Sequence, residues 1–267
     1  MVSSATGTAI LFHFYRSFEM KLRYLGFCGV DDSVALPQIL DLSHRCPHIE
    51  WGFLLRSDKE GTPRYASQSF LRSLRGSSHA LHLAAHLCAD YCTRVLEGDY
   101  RDVSELIEMG FKRFQLNPTL ANGVEVDSSR HSEYVHNVRN LMVQFSSVEF
   151  LLQANEETAF LYTTLVNSHP PENMSILFDA SCGTGVTISS IHQPFKDIPC
   201  GYAGGISPSN LMTILESIEL KIGDLQTWVD MESSLRVRKD GTNDDVFNIN
   251  ACEKCVSLVE GSRFLFT

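Results

Sequence analysis

No run of apolar residues in this chain of 267 approaches the roughly 18 that a membrane-spanning helix needs, so a bilayer is not an expected partner. Basic blocks are missing as well. The 22 lysines and arginines stand against 32 acids, a formal net charge of −10, and no stretch is fitted to neutralise the phosphates of a duplex. Nucleic acid is therefore not expected either, whereas a small anion is compatible, because backbone and side-chain donors hold such a ligand locally. The opening residues, MVSSATGTAILFHFYRSFE, lack the basic n-region and the small-residue cleavage site of a secretory signal. They read as an extension over 1–19, disordered or ahead of a working start at Met20, since regular patterning begins only at Lys21.

A disulfide framework is also absent. The eight cysteines, at 28, 46, 88, 92, 182, 200, 252 and 255, are scattered through mostly apolar surroundings and read as the reduced thiols of a cytoplasmic protein. Cys88/Cys92 and Cys252/Cys255 have helix-neighbour spacing, and no zinc-type motif completes either pair. Neither a metal nor another cofactor is expected. No glycine-rich dinucleotide fingerprint follows a strand, and no repeat or low-complexity linker divides the chain.

What is present is a globular composition, 43% hydrophobic and 20% charged, in a chain long enough to bury a full core without staples. Short apolar runs alternate with amphipathic ones. Strands are predicted at 22–28, 49–55, 80–87, 113–117, 148–154, 175–180, 200–204 and 226–231. Helices are predicted at about 33–45, 66–75, 88–109, 131–145, 156–167, 208–220 and 243–260, with a weaker one near 186–192. Eight alternations over 20–267 predict an α/β fold, a single (β/α)8 TIM barrel. Trp51 and Trp228 fall in strand runs and read as packing residues. The segment 120–135 reads as a loop above the barrel mouth or a lid.

The active site of such a barrel lies at the C-terminal ends of its strands. The polar residues predicted there are Cys28, Arg56, His86, Asn117, Gln153, Asn155, Asp179, Gly204-Gly205 and Asp230. Strand alternation lets only one of two neighbours look inward.

These positions make a family visible. The chain resembles phosphoribosylanthranilate isomerase, a barrel enzyme of tryptophan biosynthesis. The resemblance is carried by LGFCGVDD (25–32), GTPRYAS (61–67), ILFDASCGTGVT (176–187), YAGGISPSNL (202–211) and VDMESS (229–234). It implies Cys28 as general base, Asp179 as general acid, and Arg64, Asn117 and Asp230 as substrate-binding residues. It also implies a phosphate site at Gly204, Gly205, Ser233 and Ser234. The implied ligand is a small phosphorylated sugar or aminosugar undergoing an Amadori rearrangement. The chain departs from the pattern at FQLNPT, where Asn117-Pro118 replaces His-Gly, in the short sixth loop, and at SSLR, where Ser234 replaces a glycine. Two alternatives stay open: a barrel that binds a phosphorylated metabolite without this activity, and a metal-assisted, epimerase-like enzyme using His82, His86 and Cys88 with Asp179 and Asp230. The oligomeric state is not fixed by the sequence.

Overall fold

β1 (Lys21–Cys28) and β2 (Ile49–Leu55) lie side by side in parallel register, with Cys28 opposite Gly52. The computed structural model describes residues 20–179, 190–238, 241 and 245–267. The extension over 1–19 and most of the weak helix near 186–192 lie outside these; 190–192 is bend and loop.

Every residue of β2 is buried, as expected of a strand covered on both faces and drawn from a continuous apolar run. The ring continues through β3 (His82–Leu87), β4 (Arg113–Leu116), β5 (Glu149–Ala154), β6 (Met174–Asp179), β7 (Cys200–Ala203) and β8 (Gln226–Met231). All neighbours are parallel, and β8 pairs back onto β1 through Leu25–Val229, Gly26–Asp230 and Phe27–Met231, closing the barrel. The protein is a TIM barrel. No helix among the described residues is long and apolar enough to cross a membrane.

The helices are α1 (Leu36–Arg45), α2 (Gln68–Leu74), α3 (Ala89–Leu96), α4 (Arg101–Met109), α5 (His131–Gln144), α6 (Ala159–Asn167), α7 (Leu211–Ile222) and α8 (Ile249–Glu260). Local chemistry sets their ends. The Ser67 hydroxyl caps α2 by accepting from Phe70 N, and α1 carries a proline in its first turn. The single helix predicted over 88–109 is two. Gly98 takes φ +82°, a left-handed conformation that ends α3, and the chain restarts at Arg101. The helix predicted from 243 starts at Ile249, because 245–247 instead pair antiparallel with 236–238 as β10 (Asp245–Phe247) and β9 (Arg236–Arg238). A short β11 (Leu265–Phe266) runs beside the start of β1.

The barrel interior is layered. Across the floor, Arg113 pairs with Glu50 at 2.5 Å and Glu149 at 3.1 Å. The Arg113 guanidinium also lies 4.6 Å from the Trp228 ring and 5.0 Å from that of Tyr24. Above it Leu151, Leu177, Ala203 and Trp228 form an apolar layer. Both tryptophans are buried, Trp51 donating to Ser43 Oγ at 2.7 Å, as predicted for packing residues. The segment 120–135 carries two short 3-10 turns, 120–122 and 128–130, before α5 begins.

Candidate active site

Alternation along the strands turns Cys28, His86, Gln153, Asp179 and Asp230 into one cavity of about 290 Å³ at the C-terminal mouth. Asn117, Gly204, Gly205, Ser233 and Ser234 line the same cavity. Of the residues implied by the resemblance, only Arg64 is missing from its wall.

Cys28 is 1% exposed and its Sγ lies 3.2 Å from His86 Nδ1. The neighbouring strand makes room for this pair. A Cβ at Gly52 would stand 2.9 Å from His86 Nε2 and 3.1 Å from Cys28 Cβ. Gly26 does the same for Asp230, whose Oδ1 would lie 2.5 Å from an added Cβ. A glycine inside a strand marks such close approaches.

Burial disfavours charge on the thiol, the imidazole and the Asp230 carboxyl of this centre. Burial pushes the Cys28 thiol well up, and Asp230, Glu232 and Cys88 push in the same direction. Burial brings His86 down to about 3, assisted by the positive charge of Arg113. Asp230 keeps some surface on the cavity. Even so, desolvation raises its carboxyl well above the usual range; Glu50 and Glu232 add to this and Arg113 opposes it. Glu232, also in the wall, is raised by burial and partly held down by Arg64. At neutral pH Cys28 is therefore a thiol and His86 a neutral imidazole, and burial favours the protonated form of Asp230.

Asp179 accepts a hydrogen bond from Gln153 Nε2 at 2.6 Å. Asn117 stands just past β4, its Oδ1 accepting from Gln115 Nε2 at 2.7 Å and its Nδ2 3.6 Å from Cys88 Sγ. Among the described residues, two buried acceptors in this wall, Gln115 Oε1 and Gln153 Oε1, have no protein partner, which marks them for a ligand or water.

The turns after β7 and β8 are tied together. Gly204 and Gly205 take φ +116° and +58°. Asn210 Nδ2 donates to Gly205 O at 2.9 Å, and Ser234 Oγ donates to Ile206 O at 2.6 Å. The SPSN motif thus holds the Gly-Gly turn as well as opening α7.

Arg64 has φ +77°, and its backbone N–H donates to Asp31 Oδ2 at 2.6 Å. Its guanidinium spans Glu232 and Asp245, each at 3.0 Å, and reaches Ser233 Oγ at 3.4 Å. Arg64 therefore acts on the cavity through Glu232 and Ser233. The two acids of LGFCGVDD are anchors of the same kind. Asp31 also binds Arg236 at 2.7 Å, and Asp32 takes Ser67 N at 2.7 Å, which together pin the GTPRYAS loop against β1.

His82 stands at the opposite end of β3 from His86, its ring 5.2 Å from Tyr24. Cys88 is buried beside Asn117 and Asn122 and is not in the cavity wall. Arg56 pairs with Asp58 at 2.6 Å, and Asn155 caps a turn by accepting from Thr158 N at 3.2 Å. Among the described residues, the side chains with metal-ligand chemistry that the fold brings together are instead Cys28, His86 and Asp230, whose ligand atoms all lie within 4.8 Å of one another. Sequence reasoning placed His86 at the rim with Asp179 and Asp230 in the metal-assisted alternative, did not pair it with Cys28, and passed over Glu232. The available signals were Gly52, opposite Cys28, and the two-residue step from Asp230 to Glu232. Cys182 and the GTG turn of the sixth loop lie outside the described residues.

No protein-family model matches the chain, and no curated protein matches it significantly. Its fold is similar to that of phospho-2-dehydro-3-deoxyheptonate aldolase (DAHP synthase) from Thermotoga maritima, at 9% identity over 94% of this chain and 72% of that one, TM-score 0.50. A truncated 3-deoxy-D-arabino-heptulosonate 7-phosphate synthase from the same organism matches at 8% identity, covering 93% and 89% of the two chains, TM-score 0.47. Oxaloacetate acetylhydrolase matches at 10% identity, covering 78% and 75%, TM-score 0.46. Identities this low speak to the barrel, not to the chemistry on its rim.

Proposed function

We propose that the protein is an acid–base isomerase of a small phosphorylated sugar or aminosugar, carrying out the aldose–ketose rearrangement that its resemblance to phosphoribosylanthranilate isomerase implies. One observation carries this reading: Cys28 and Asp179, from non-adjacent strands, share a cavity with the Gly204-Gly205 and Ser233-Ser234 turns. In this reading Asp179 gives a proton to the ring oxygen, the C1–O bond breaks, and the nitrogen lone pair forms an iminium at C1. Cys28 then removes the C2 proton; the C2–H electron pair becomes the C1–C2 double bond, the C1–N π pair returns to nitrogen, and the resulting enol tautomerises to the ketose.

The thiol must ionise first. His86 Nδ1, 3.2 Å from Sγ, is the acceptor in reach. Burial keeps both groups neutral at rest, so the pair waits for the substrate's cation, which favours thiolate beside it. Asp230, whose protonated form burial favours, contacts a substrate oxygen, and Asn117 supplies a second polar contact. The phosphate rests on the Gly204 and Gly205 backbone with Ser233 and Ser234. Arg64 steadies Glu232 and Ser233 beside it.

Cys28→Ser and Asp179→Asn test the assignment in a fluorescence assay that follows loss of the phosphoribosylated anthranilate. Each is expected to lower turnover by about 100- to 10,000-fold, the range for a lost general acid or base, with the melting transition retained. Full activity in either variant removes the mechanism. The second reading, a barrel that binds a phosphorylated metabolite without this activity, is favoured by the carboxyl of Glu232 beside the phosphate turns and by Asn117-Pro118 in place of His-Gly. It prevails if the chain fails to replace the isomerase in a tryptophan auxotroph yet melts higher with sugar phosphates.

A further inference from the structure

The three side chains that converge at the mouth are a thiol, an imidazole and a carboxyl, donated by β1, β3 and β8. Ligand atoms all within 4.8 Å of one another need only small side-chain rotations to close on an ion about 2.0–2.3 Å from each. The sheet is shaped around them. Side chains at Gly26 and Gly52 would collide with Asp230 and His86, so the two glycines leave these groups the space they occupy. The surrounding charge is acidic: Glu50, Glu232 and Asp179 face Asp230, with Arg113 as the cation below. Such a setting favours a positive guest.

We propose that Cys28, His86 and Asp230 form a binding site for a zinc-class divalent cation, reached through the barrel mouth. Sulfur and imidazole donors select a borderline-soft ion over magnesium or calcium, which take oxygen ligands. Three protein ligands leave a fourth position, and all three side chains line the cavity, so that position faces the space where substrate would lie. The ion occupies the sulfur that the isomerase reading uses as its base. Metal-loaded protein is therefore the inhibited form, and free thiol and metal thiolate are mutually exclusive states of one site. The inhibition rests on the isomerase reading; the binding does not.

The test is a titration of the reduced, chelator-treated full chain with Co2+ alone. Expected is saturation at one equivalent with a sulfur-to-cobalt charge-transfer band, bleached when Zn2+ displaces the cobalt. The band disappears in Cys28→Ser and persists in Cys88→Ser, which alters a buried thiol outside the cavity wall. Asp230→Asn and His86→Gln each weaken binding about tenfold or more. Thermal melting shows that each variant is folded, and Asp230→Asn decides the matter if Cys28→Ser is not. No band, or a band unchanged in Cys28→Ser, overturns the proposal. Turnover is measured separately: Zn2+ stops it and chelator restores it if both readings hold. Absence of turnover in metal-free protein sinks the isomerase reading while the cobalt band stands.

Discussion

Gly52→Ala is the sharpest perturbation that the site offers, because it adds one methyl group and no charge. The new Cβ would sit 2.9 Å from His86 Nε2 and 3.1 Å from both Cα and Cβ of Cys28. The Cys28 atoms belong to the adjacent strand and cannot retreat without moving the β1–β2 register, in which Cys28 faces Gly52. The imidazole therefore gives way, by several tenths of an ångström, and the 3.2 Å Sγ–Nδ1 contact lengthens or turns out of line. Gly52 has no left-handed φ, so alanine lowers the entropy of the unfolded chain and returns about 0.4–1 kcal/mol. Overpacking costs about 1–3 kcal/mol. The net loss is between about 0 and 2.6 kcal/mol, small enough for the barrel to remain folded.

Turnover responds differently. Displacement of a reacting group by part of an ångström costs about tenfold or more in rate, because the geometry of proton transfer is lost. Urea unfolding and initial-rate kinetics on the same preparation separate the two effects. A control is Gly76→Ala, where nothing lies within 4 Å of the added Cβ and stability is expected to stay within about 0.5 kcal/mol. Wild-type turnover in folded Gly52→Ala would refute the claim that the spacing of Cys28 and His86 matters to the chemistry.

Other consequences are quicker to state. Arg113→Met removes the cation between Glu50 and Glu149; Glu149 keeps Arg23 at 2.8 Å, but the buried Glu50 carboxylate is left uncompensated, so urea unfolding at neutral pH should show a loss of about 3–5 kcal/mol. Restored stability in the triple change with Glu50→Gln and Glu149→Gln would tie that loss to charge. Asp31 predicts an acid limb. Burial alone would raise its carboxyl, but hydrogen bonds from Ser33, Arg64 N and Arg236 bring it below its usual value. Its stabilisation is complete above the unfolded pKa of about 3.9 and is lost as pH falls through the lower folded value. Asp31→Asn should cost roughly 1–3 kcal/mol at pH 7 and converge with the parent in strong acid; a constant difference across pH removes the linkage.

The strands were legible because a parallel barrel buries them on both faces, and runs such as IEWGFLL announce that without a partner in view. The break at Gly98 was not, since VLEGDYRDV keeps an amphipathic pattern across it and only φ tells a tolerated glycine from a terminator. The β9–β10 pairing was hidden for another reason. Arg236 is fixed by Asp31, Asp245 and the Gly29 carbonyl, contacts with residues up to 207 positions away. Arg64 shows the same limit from the other side. Its place in GTPRYAS was readable, but that its guanidinium would be taken by Glu232 and Asp245 depends on two segments over 160 residues downstream. His86 was visible as a rim residue, while its contact with Cys28, 58 positions earlier, was visible only through Gly52.

Taken together, the rim is bipolar, and this constrains any reading of its chemistry. On one side the carboxyls of Asp179, Asp230 and Glu232 share the cavity with the thiol and imidazole, and burial, with Glu50 and Glu232 adding to it, pushes the Asp230 carboxyl well up. On the other, the Gly204-Gly205 turn presents backbone groups with no side chain in the way, braced by Asn210 and Ser234. A neutral sugar phosphate would satisfy only the second half. An iminium intermediate with a phosphate tail satisfies both, its cation beside the acids and its anion on the turn. A zinc-class ion satisfies the first half alone. Rearrangement and metal binding thus draw on one property, an acidic centre in which, among the described residues, no lysine or arginine lines the cavity with its sulfur. Lysine placed at Leu54, a cavity-wall neighbour in the apolar cluster with Cys28, is expected to weaken both together. Loss of cobalt binding with turnover untouched in Leu54→Lys would separate the two and show that charge at this centre does not govern the reaction.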